Sequence, residues 1–274
     1  MTESPVTEST SPTPGRRSGT DAPPAVRVAD LTKEFPGGVQ ALGGISFDVP
    51  RGELTSIIGP SGCGKTTTLK IIAGLLDATS GRVEVDGAPI SRPGPDRAFV
   101  FQDFALMPWA TVLRNAAFGL ELRGMRKAER EQIAREYVAK VGLAGFEDAY
   151  PHQLSGGMRQ RVGLARALAV DADILLMDEP FASVDEQIRR QFQEDLLRLL
   201  SDERKTVIFV THSIEEAVYV SDQIVILTRG PGRVSKVVRP GVDRSGGSDE
   251  IRRSPAYLDW VEQIWHELQG YLER

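Results

Sequence analysis

The amino-acid sequence predicts an α/β protein with a mainly parallel sheet at its core, an antiparallel β unit at its N-terminal end and an inserted helical layer. Two observations favour this class. Short, continuously apolar runs alternate with amphipathic helical patterns, which is typical of buried parallel strands covered by helices on both faces. In one region, two helical patterns follow each other without a strand between them, which indicates the helical insertion.

The N-terminal unit is predicted from alternating patterns. Residues 1–24 are rich in Ser, Thr and Pro and are expected to form a disordered tail. From Ala25 onward, apolar residues alternate over 26–31 and again over 45–49, which indicates two half-buried strands. The stretch 82–87 ends in Asp-Gly and predicts a short hairpin.

The remaining elements follow from the period of the apolar residues. Buried strands are predicted at 54–58, 98–101, 174–177 and 207–210, and a closing hairpin at 224–227 and 234–238. Helices are predicted at 66–76, 112–122, 127–141, 156–169, 186–200 and 257–272, with a short one ending at Val220. The last long helix is expected to bury one stripe, made of Leu258, Val261, Trp265, Leu268 and Leu272.

Composition limits the possible functions. The chain has 274 residues and a net charge of −5, so it offers no general electrostatic footprint for nucleic acid or for an anionic membrane surface. Its apolar runs are far shorter than the roughly 20 residues that span a bilayer, and no signal-peptide pattern is present, so we expect a cytoplasmic protein. The single cysteine, Cys63, excludes an internal disulfide framework and a multi-cysteine zinc site.

A glycine-rich stretch between a predicted strand and a predicted helix matches the P-loop pattern: Gly59-Pro60-Ser61-Gly62-Cys63-Gly64-Lys65-Thr66. Its glycines let backbone N–H groups point at phosphate oxygens, and the helix N-terminus adds partial positive charge. Lys65 is expected to reach the β- and γ-phosphates, and the Thr66 hydroxyl to ligate Mg²⁺. The stretch predicts a P-loop NTPase core.

Two adjacent acids end the apolar run at 174–177. Ligands collect at the carboxyl ends of the strands in such folds, so Asp178 is expected beside the P-loop, in the magnesium shell. Glu179 is expected to face the γ-phosphate and to act as general base for the attacking water. Two acids at a strand end are also typical of a solvated surface, but the upstream P-loop favours the site.

The stretch Leu154-Ser155-Gly156-Gly157-Met158 begins another predicted helix with free N–H groups, and no base or metal ligand adjoins it in sequence. We interpret it as a second phosphate cradle, although Ser155 would also cap an ordinary helix. Two such helix starts in one chain predict that the second contacts the nucleotide of another copy.

With these motifs in this order, the chain resembles the nucleotide-binding subunits of ABC transporters from Val26 to about Val238. The resemblance matches Gly59–Thr66 to Walker A, Gln102 to the Q-loop glutamine, Leu154–Met158 to the signature sequence, Ile174–Asp178 to Walker B, Glu179 to the catalytic glutamate, Ser183-Val184-Asp185 to the D-loop and His212 to the switch histidine. Phe35 matches the aromatic that stacks on adenine. The implied domains are an ABC ATPase domain over 25–240, with a helical subdomain at about 104–170, and a C-terminal linker and amphipathic helix over 241–274.

The resemblance also implies the role of each residue, with ATP and Mg²⁺ as cofactors. Catalysis is assigned to Glu179, His212, Gln102 and Lys65, and metal binding to Thr66, Gln102 and Asp178. Nucleotide contacts are assigned to Phe35, Gly59, Pro60, Ser61, Gly62, Cys63, Gly64, Lys65, Thr66, Thr67, Ser155, Gly156, Gly157 and Asp185. Two departures occur: Met158 stands where the family has Gln, and the D-loop has Ser-Val-Asp where Ala-Leu-Asp is commoner. Neither removes a phosphate donor, so an active site is expected.

An apolar and aromatic stretch, Phe104–Trp109, follows Gln102 and indicates an interaction site. In the family, this region receives the coupling helix of the membrane-spanning subunit. The resemblance therefore implies a homodimer that sandwiches nucleotide and docks on permease subunits at the cytoplasmic face of the membrane. An extracytoplasmic solute-binding protein would act indirectly, and no nucleic acid partner is expected.

Three further stretches, 106–109, 178–187 and 228–233, are similar to the importer branch that serves nitrate, taurine and alkyl sulfonates. The same branch serves some pyrimidine precursors of thiamine, so the solute is left open. A soluble ABC ATPase of translation or DNA repair is the alternative class, but such proteins have tandem cassettes or long coiled-coil insertions, and neither is found. A GTPase would need an Asn-Lys-x-Asp motif, which is absent.

Cys63 lies within the P-loop at a helix start, beside Lys65. Oriented N–H groups and a nearby cation favour thiolate, which predicts a thiol that reacts rapidly with alkylating reagents. The alternative is a small buried residue that reagents do not reach.

Overall fold

The computed structural model describes residues 23–181 and 186–272, which form ten strands and eight α-helices. The strands are β1 (Val26–Phe35), β2 (Val39–Val49), β3 (Leu54–Ile58), β4 (Ser80–Val85), β5 (Ala88–Pro89), β6 (Arg97–Val100), β7 (Ile174–Asp178), β8 (Thr206–Val210), β9 (Gln223–Leu227) and β10 (Val234–Val238). The helices are α1 (Lys65–Ile72), α2 (Val112–Leu122), α3 (Lys127–Lys140), α4 (Gly156–Ala169), α5 (Glu186–Glu203), α6 (Ile214–Val220), α7 (Ser248–Arg253) and α8 (Pro255–Leu272).

The central sheet has six strands in the order β10-β9-β3-β8-β7-β6. Its inner pairings are parallel, and β10 adds an antiparallel edge to β9. Strands β3, β7, β8 and β9 are buried along their whole length because helices cover one face, and helix α1 and the smaller N-terminal sheet cover the other. The largely apolar sequences of these four strands suit strands that are buried on both faces of the sheet. The predicted mainly parallel core is confirmed.

A smaller sheet at the N-terminal end has four antiparallel strands in the order β2-β1-β4-β5. Its inner face packs on α1 and on one side of the central sheet, so Val28, Phe47 and Val83 share a core with Ile57 and Leu69. The predicted antiparallel unit is therefore confirmed. The predicted tail lies, up to residue 22, outside the described residues.

Helices α2, α3 and α4 pack against one another and form the helical layer predicted between two strands of the central sheet. Helix α2 begins at Val112 because the Thr111 hydroxyl accepts a hydrogen bond from the Arg114 N–H and so caps its first turn. Helix α4 begins with Gly156 after the cap residue Ser155. The bounds of the helical subdomain, about 104–170, stay a prediction.

The structure corrects some predicted elements. Helix α1 ends at Ile72, not at residue 76, because Gly74 turns the chain with φ 73°. A side chain at that glycine would lie 2.3 Å from the carbonyl carbon of Arg92, so the backbones meet too closely for the helix to continue. Helix α7 and a short 3-10 turn at Pro151–Gln153 were not predicted.

The buried stripe predicted for the C-terminal helix is partly wrong. Leu258 and Trp265 are exposed on α8, whereas Tyr257 and Ile264 form its buried face. The helix has apolar residues on more than one side, so its pattern alone did not show which side packs on α6. Within the described residues, no helix combines the length and the apolar character that crossing a membrane requires.

Candidate active site

The P-loop joins the end of β3 to the start of α1 and lies against the end of β9. Gly59 is closely surrounded: a Cβ there would come within 2.7 Å of the Cys63 sulfur and 2.8 Å of the Leu227 carbonyl oxygen. Gly64 precedes α1 with φ 93°, and a Cβ there would meet a Leu42 methyl group at 2.5 Å. Side chains at these two positions would push the loop apart, so the glycines set the shape of the cradle.

Lys65 is buried, with 8% of its surface exposed, and its ammonium group turns back over the loop. The Nζ atom donates to the carbonyl oxygens of Gly59 at 2.8 Å and Pro60 at 3.2 Å. A cation is thereby held at the centre of a ring of backbone groups, where an anionic ligand would find it already in position.

The first acid of the strand end meets the P-loop directly. Thr66 Oγ1 donates a hydrogen bond of 2.9 Å to Asp178 Oδ1. Asp178 is only 4% exposed, and this burial raises the pKa of its carboxyl above the ordinary value, an effect opposed by the Thr66 hydrogen bond. The charge of Glu179 also raises this pKa, while the nearby lysines lower it.

A cavity of about 450 Å³ opens beside this pair. Its lining includes three residues predicted for the metal, Thr66, Gln102 and Asp178, together with Lys70 and Asp103. The last two were missed by the sequence analysis. Spacing could have indicated Lys70, which lies one turn after Thr66 on the same face of α1, and Asp103 directly follows Gln102.

The second acid, Glu179, leaves the strand end in an uncommon conformation. Its φ is 45°, in the left-handed region, and its N–H donates to the Val210 carbonyl at 3.0 Å. A non-glycine residue in this region costs roughly 1–2 kcal/mol, which the surrounding strand ends must offset. Such strain is concentrated at functional sites because it directs a side chain where a regular strand would not.

Two other residues predicted for catalysis approach this carboxylate. The Nδ1 atom of His212 lies 3.2 Å from Glu179 Oε2, and the Nε2 atom of Gln102 lies 3.5 Å from the same oxygen, at the outer limit of a hydrogen bond. The sheet order explains this, because Gln102, Glu179 and His212 follow the ends of β6, β7 and β8, which are neighbours.

A short network fixes the turn that carries His212. Thr211 is buried, donates its hydroxyl hydrogen to the Glu216 carboxylate and accepts from the Ser213 N–H at 3.0 Å. Ser213 in turn caps α6 by accepting from the Glu216 N–H at 3.1 Å. His212 itself is exposed, with 64% of its side chain accessible, so its ring is free to contact a ligand.

The second phosphate cradle is placed on the surface. Ser155 is exposed, and its hydroxyl accepts from the Met158 N–H at 3.3 Å as the cap of α4. Met158, which replaces the family glutamine, is half-buried against the core of the helical layer. Gly156 and Gly157 leave the first turn uncovered by side chains. The expected donors are therefore present, and their contact with a nucleotide stays a prediction.

Phe35 and Asp185 are predicted nucleotide contacts that lie away from the P-loop and the second cradle in sequence. Phe35 ends β1 at the hairpin with β2, pairs with Val39 and is half-buried. Its ring lies 5.2 Å from the Lys33 ammonium, a cation–π contact, and stacking on adenine stays a prediction. Asp185, with the rest of the D-loop, lies outside the described residues.

The stretch predicted for docking divides into a buried and an exposed part. Phe104 is 8% exposed and packs inward, which corrects the expectation of a uniformly exposed apolar patch. Trp109 is 74% exposed and projects from the loop between β6 and α2. Leu106 and Met107 are half-buried, and Pro108 is exposed.

The prediction of a reactive thiol is wrong. The Cys63 side chain is fully buried, and this burial raises the pKa of its thiol above the ordinary value. Lys65 Nζ lies 4.0 Å from the sulfur and lowers this pKa, but by less than burial raises it. The sulfur lies in the apolar core beneath the loop, so burial outweighs the charge near the helix start.

A buried cation in a glycine cradle, an acid bonded to the adjacent hydroxyl and a second acid at a strained strand end define a P-loop nucleoside triphosphatase. Comparisons with known proteins narrow this class. The family model described as "ABC transporter" matches residues 42–182. An uncharacterised ABC transporter ATP-binding protein of Methanocaldococcus jannaschii, MJ0412, is 54% identical over 247 residues, covering 89% of this chain and 91% of that protein.

Two other similarities agree with it. A taurine import ATP-binding protein of Chromobacterium violaceum is 46% identical over 246 residues, covering 88% of this chain and 94% of that protein. A solved dimer of the ATP-binding cassette MJ0796, in a post-hydrolysis state with ADP and Pi, has a TM-score of 0.71 and 33% identity, covering 78% of this chain and 98% of that one.

The chain belongs to the ABC transporter family, as one of its ATP-binding subunits. It binds ATP and hydrolyses it to drive transport.

Proposed function

We propose that the chain energises the import of a small solute that carries an anionic group, such as taurine, an alkyl sulfonate or nitrate, through separate permease subunits. One observation supports the catalytic part of this proposal. Gln102, Glu179 and His212 lie together beside a P-loop in which the Lys65 ammonium group is already bound to the loop backbone. Support for import comes from the taurine import ATP-binding proteins that are 44–46% identical to this chain.

The residues at the strand end fit a magnesium ion. Mg²⁺ takes oxygen ligands and is usually held by one or two carboxylates together with waters and substrate phosphates. Thr66, Asp178 and Gln102 offer a hydroxyl, a carboxylate and an amide oxygen around one cavity. Among residues 23–181 and 186–272, no group of three or more His, Cys, Asp or Glu side chains forms a metal site. The ion would supply neutralisation of phosphate charge.

The chain's own residues divide the work of hydrolysis. Lys65 faces the β- and γ-phosphates and compensates their charge. Glu179 accepts the proton of the attacking water while a bond forms from that oxygen to the γ-phosphorus, and the bond to the leaving ADP oxygen breaks. His212 holds the γ-phosphate side of the site, and its distance of 3.2 Å from Glu179 keeps both groups at one reaction centre.

We further propose that two copies form the working unit at the cytoplasmic face of the membrane. Ser155, Gly156 and Gly157 start a helix on the exposed surface and would contact the nucleotide held by the P-loop of the partner. The related cassette MJ0796 forms a dimer. Permease subunits would dock at the loop that carries Trp109, and an extracytoplasmic binding protein would deliver the solute to them.

Reconstitution tests this function. The chain would be reconstituted in proteoliposomes with its permease subunits, and its solute-binding protein would be added outside. ATP-driven uptake of labelled taurine, alkyl sulfonate and nitrate would be compared, with Glu179→Gln as the inactive control. We expect uptake of one of these solutes that depends on ATP enclosed within the vesicles, on the side of the ATPase subunits. Uptake of a neutral pyrimidine instead would move the chain to the thiamine-precursor group. ATP hydrolysis without transport of any solute would contradict the proposal.

A further inference from the structure

The loop between β6 and α2, residues 101–111, carries both Gln102 at the reaction centre and Trp109 on the exposed surface. We call it the docking loop. Its own backbone contributes short turns, in which the Phe104 N–H donates to Phe101 at 3.1 Å and the Ala110 N–H to Met107 at 3.1 Å. A loop of this length needs additional contacts to keep its two ends in a fixed relation.

One such contact is an arginine from α4. Arg166 Nη1 donates to the Ala105 carbonyl at 2.7 Å, and Nη2 donates to the Phe104 carbonyl at 2.7 Å. Both loop residues have positive φ, 62° at Phe104 and 43° at Ala105. Two consecutive non-glycine residues in the left-handed region turn their carbonyl oxygens to one side, where the planar fork of a guanidinium binds both.

Helix α4 also lies beside the docking loop at Gly163. A side chain there would come within 3.8 Å of the Phe104 carbonyl oxygen. Gly163 and Arg166 are three residues apart and therefore share one face of the helix. Burial lowers the pKa of the Arg166 guanidinium from its ordinary value, because its charge is turned toward backbone carbonyls and away from water.

The opposite end of the same helix is the second phosphate cradle. Helix α4 has 14 residues, and from Ser155 to Arg166 the rise is about 16 Å. An α-helix of three turns moves as a rigid element. A displacement of the Ser155 end therefore displaces Arg166 and the two carbonyls it binds.

Asn115 of α2 fixes the other half of the docking loop. This side chain is fully buried; its Oδ1 accepts from the Met107 N–H at 2.8 Å, and its Nδ2 donates to the carbonyls of Met107 at 3.2 Å and Ala110 at 3.0 Å. Trp109 is left projecting between these anchor points. The loop is thus bound to the helical layer at both of its turns.

We propose that Arg166 is a positioning residue that couples the cradle at Ser155 to the docking loop, so that closure of the nucleotide sandwich moves Gln102 and Trp109. This inference rests on the proposed dimer. The coupling is made by the Arg166 guanidinium and the two carbonyl groups that it binds, which belong to residues with positive φ. A lysine at this position keeps the charge but cannot bind both carbonyls with a planar fork.

The test uses Trp109 as the reporter. The chain has three tryptophans, so Trp260→Phe and Trp265→Phe leave Trp109 alone. These changes are made together with Glu179→Gln, which retains bound ATP. Acrylamide quenching of Trp109 and dimer formation by light scattering are then measured with and without Mg·ATP. In this parent we expect ATP to produce the dimer and to change the quenching of Trp109.

Addition of Arg166→Gln is expected to abolish the change in quenching while the dimer still forms at the same ATP concentration. Arg166→Lys should give a smaller change than the parent. The matched control is Arg161→Gln on the same helix, because Arg161 donates to the Val141 carbonyl at 2.8 Å and to Asp195 at 3.1 Å, away from the docking loop. That control should keep the full change.

A full change in Arg166→Gln would overturn the proposal, as would a parent dimer in which the quenching of Trp109 is unaltered. If Arg166→Gln fails to fold, as judged by circular dichroism, the Arg166→Lys variant decides, and a full response there would overturn it. Failure of the parent to dimerise with Mg·ATP would instead contradict the proposed sandwich, and the coupling with it.

Discussion

The two helix starts that are predicted to bind phosphate differ in how completely this chain supplies their surroundings. At the P-loop, Lys65 is buried and bound to Gly59 and Pro60, and Thr66 is bonded to Asp178. The charged and polar groups of that site come from strands and helices far apart in sequence.

At the second cradle, Ser155 is exposed and uses its hydroxyl to cap its own helix. Its first turn offers backbone donors and a hydroxyl, but the acids of the reaction centre belong to the P-loop side. The P-loop is a site assembled within the chain. The helix start at Ser155 is a surface that is predicted to bind phosphate without reacting with it. The difference explains why two copies would be needed to make one complete site.

The largest expected effect is on the rate of ATP hydrolysis at the P-loop site. Glu179→Gln removes the general base and keeps both cradles, so ATP hydrolysis should fall by about 10²–10⁴-fold. Turnover would be measured by phosphate release and ATP binding by equilibrium titration. The exposed acid Glu215 gives a matched control, since Glu215→Gln should hydrolyse ATP normally. Parental turnover in Glu179→Gln would show that another group accepts the proton.

Removal of the P-loop cation should weaken binding. Hydrogen bonds to charged groups contribute about 1.5–3 kcal/mol, so Lys65→Ala should lower ATP affinity by roughly 10- to 150-fold. Isothermal titration with Mg·ATP measures it, and Lys127→Ala, an exposed lysine of α3, is the control. Unchanged affinity would contradict the assignment of the P-loop as the site where this chain binds nucleotide.

The division between the two starts can be tested by mixing variants. Ser155→Arg blocks the second cradle, and Lys65→Ala disables the P-loop. A mixed dimer contains one intact composite site, built from the Lys65 of one copy and the Ser155 of the other. We expect hydrolysis by the mixture when neither variant is active alone. Heterodimers that form, as seen by differential tagging, but stay inactive at every ratio would exclude a shared site.

A smaller effect is expected on stability. Because burial raises the pKa of Asp178, its contribution to the free energy of unfolding is favourable at low pH and is lost as the pH rises from 3.8 through the raised folded value. Without nucleotide, Asp178→Asn should therefore melt higher than the parent at neutral pH, and the gain should vanish in acid. A change of 1 kcal/mol corresponds to about 2–4 °C in domains of comparable size. A lower melting temperature for Asp178→Asn at pH 7 would contradict the burial argument.

The smallest effect concerns the thiol beneath the P-loop. Cys63 is buried with a raised pKa, so a maleimide should label the native chain slowly, and urea that unfolds it should restore the rate of a free thiol. Cys63→Ala should lower stability by only about 1 kcal/mol, since one small buried group is lost. Rapid labelling of the native chain, detected by mass, would show that the loop opens.

Local pattern predicted the secondary structure best where it agreed with tertiary packing. Helix α2 and helix α4 have the predicted bounds because a cap residue and a clear apolar period define each. The end of α1 depends on how closely Gly74 approaches Arg92, and the buried face of α8 depends on its contact with α6. Neither contact leaves a mark in the local sequence.

The residues of the candidate site were likewise predicted only in part. Motifs with fixed spacing pointed to Gln102, Glu179 and His212, and the geometry brings them together. Arg166 and Asn115 were not identified because their partners are backbone groups, which every residue has and no sequence pattern reveals.

Strand β8 separates the P-loop strand β3 from the strand β7 that carries the two acids. Adjacent strands lie about 4.8 Å apart, so this one strand sets a distance of roughly 10 Å between the two backbones. The spacing is fixed by the ladder of backbone hydrogen bonds and is independent of which side chains fill the core. A conservative exchange within β8, such as Ile208→Val, should therefore alter how much protein is folded without altering the rate per folded molecule. Activity lost in such β8 variants would reflect a smaller amount of folded protein, whereas activity lost in variants at the strand ends would reflect a slower reaction.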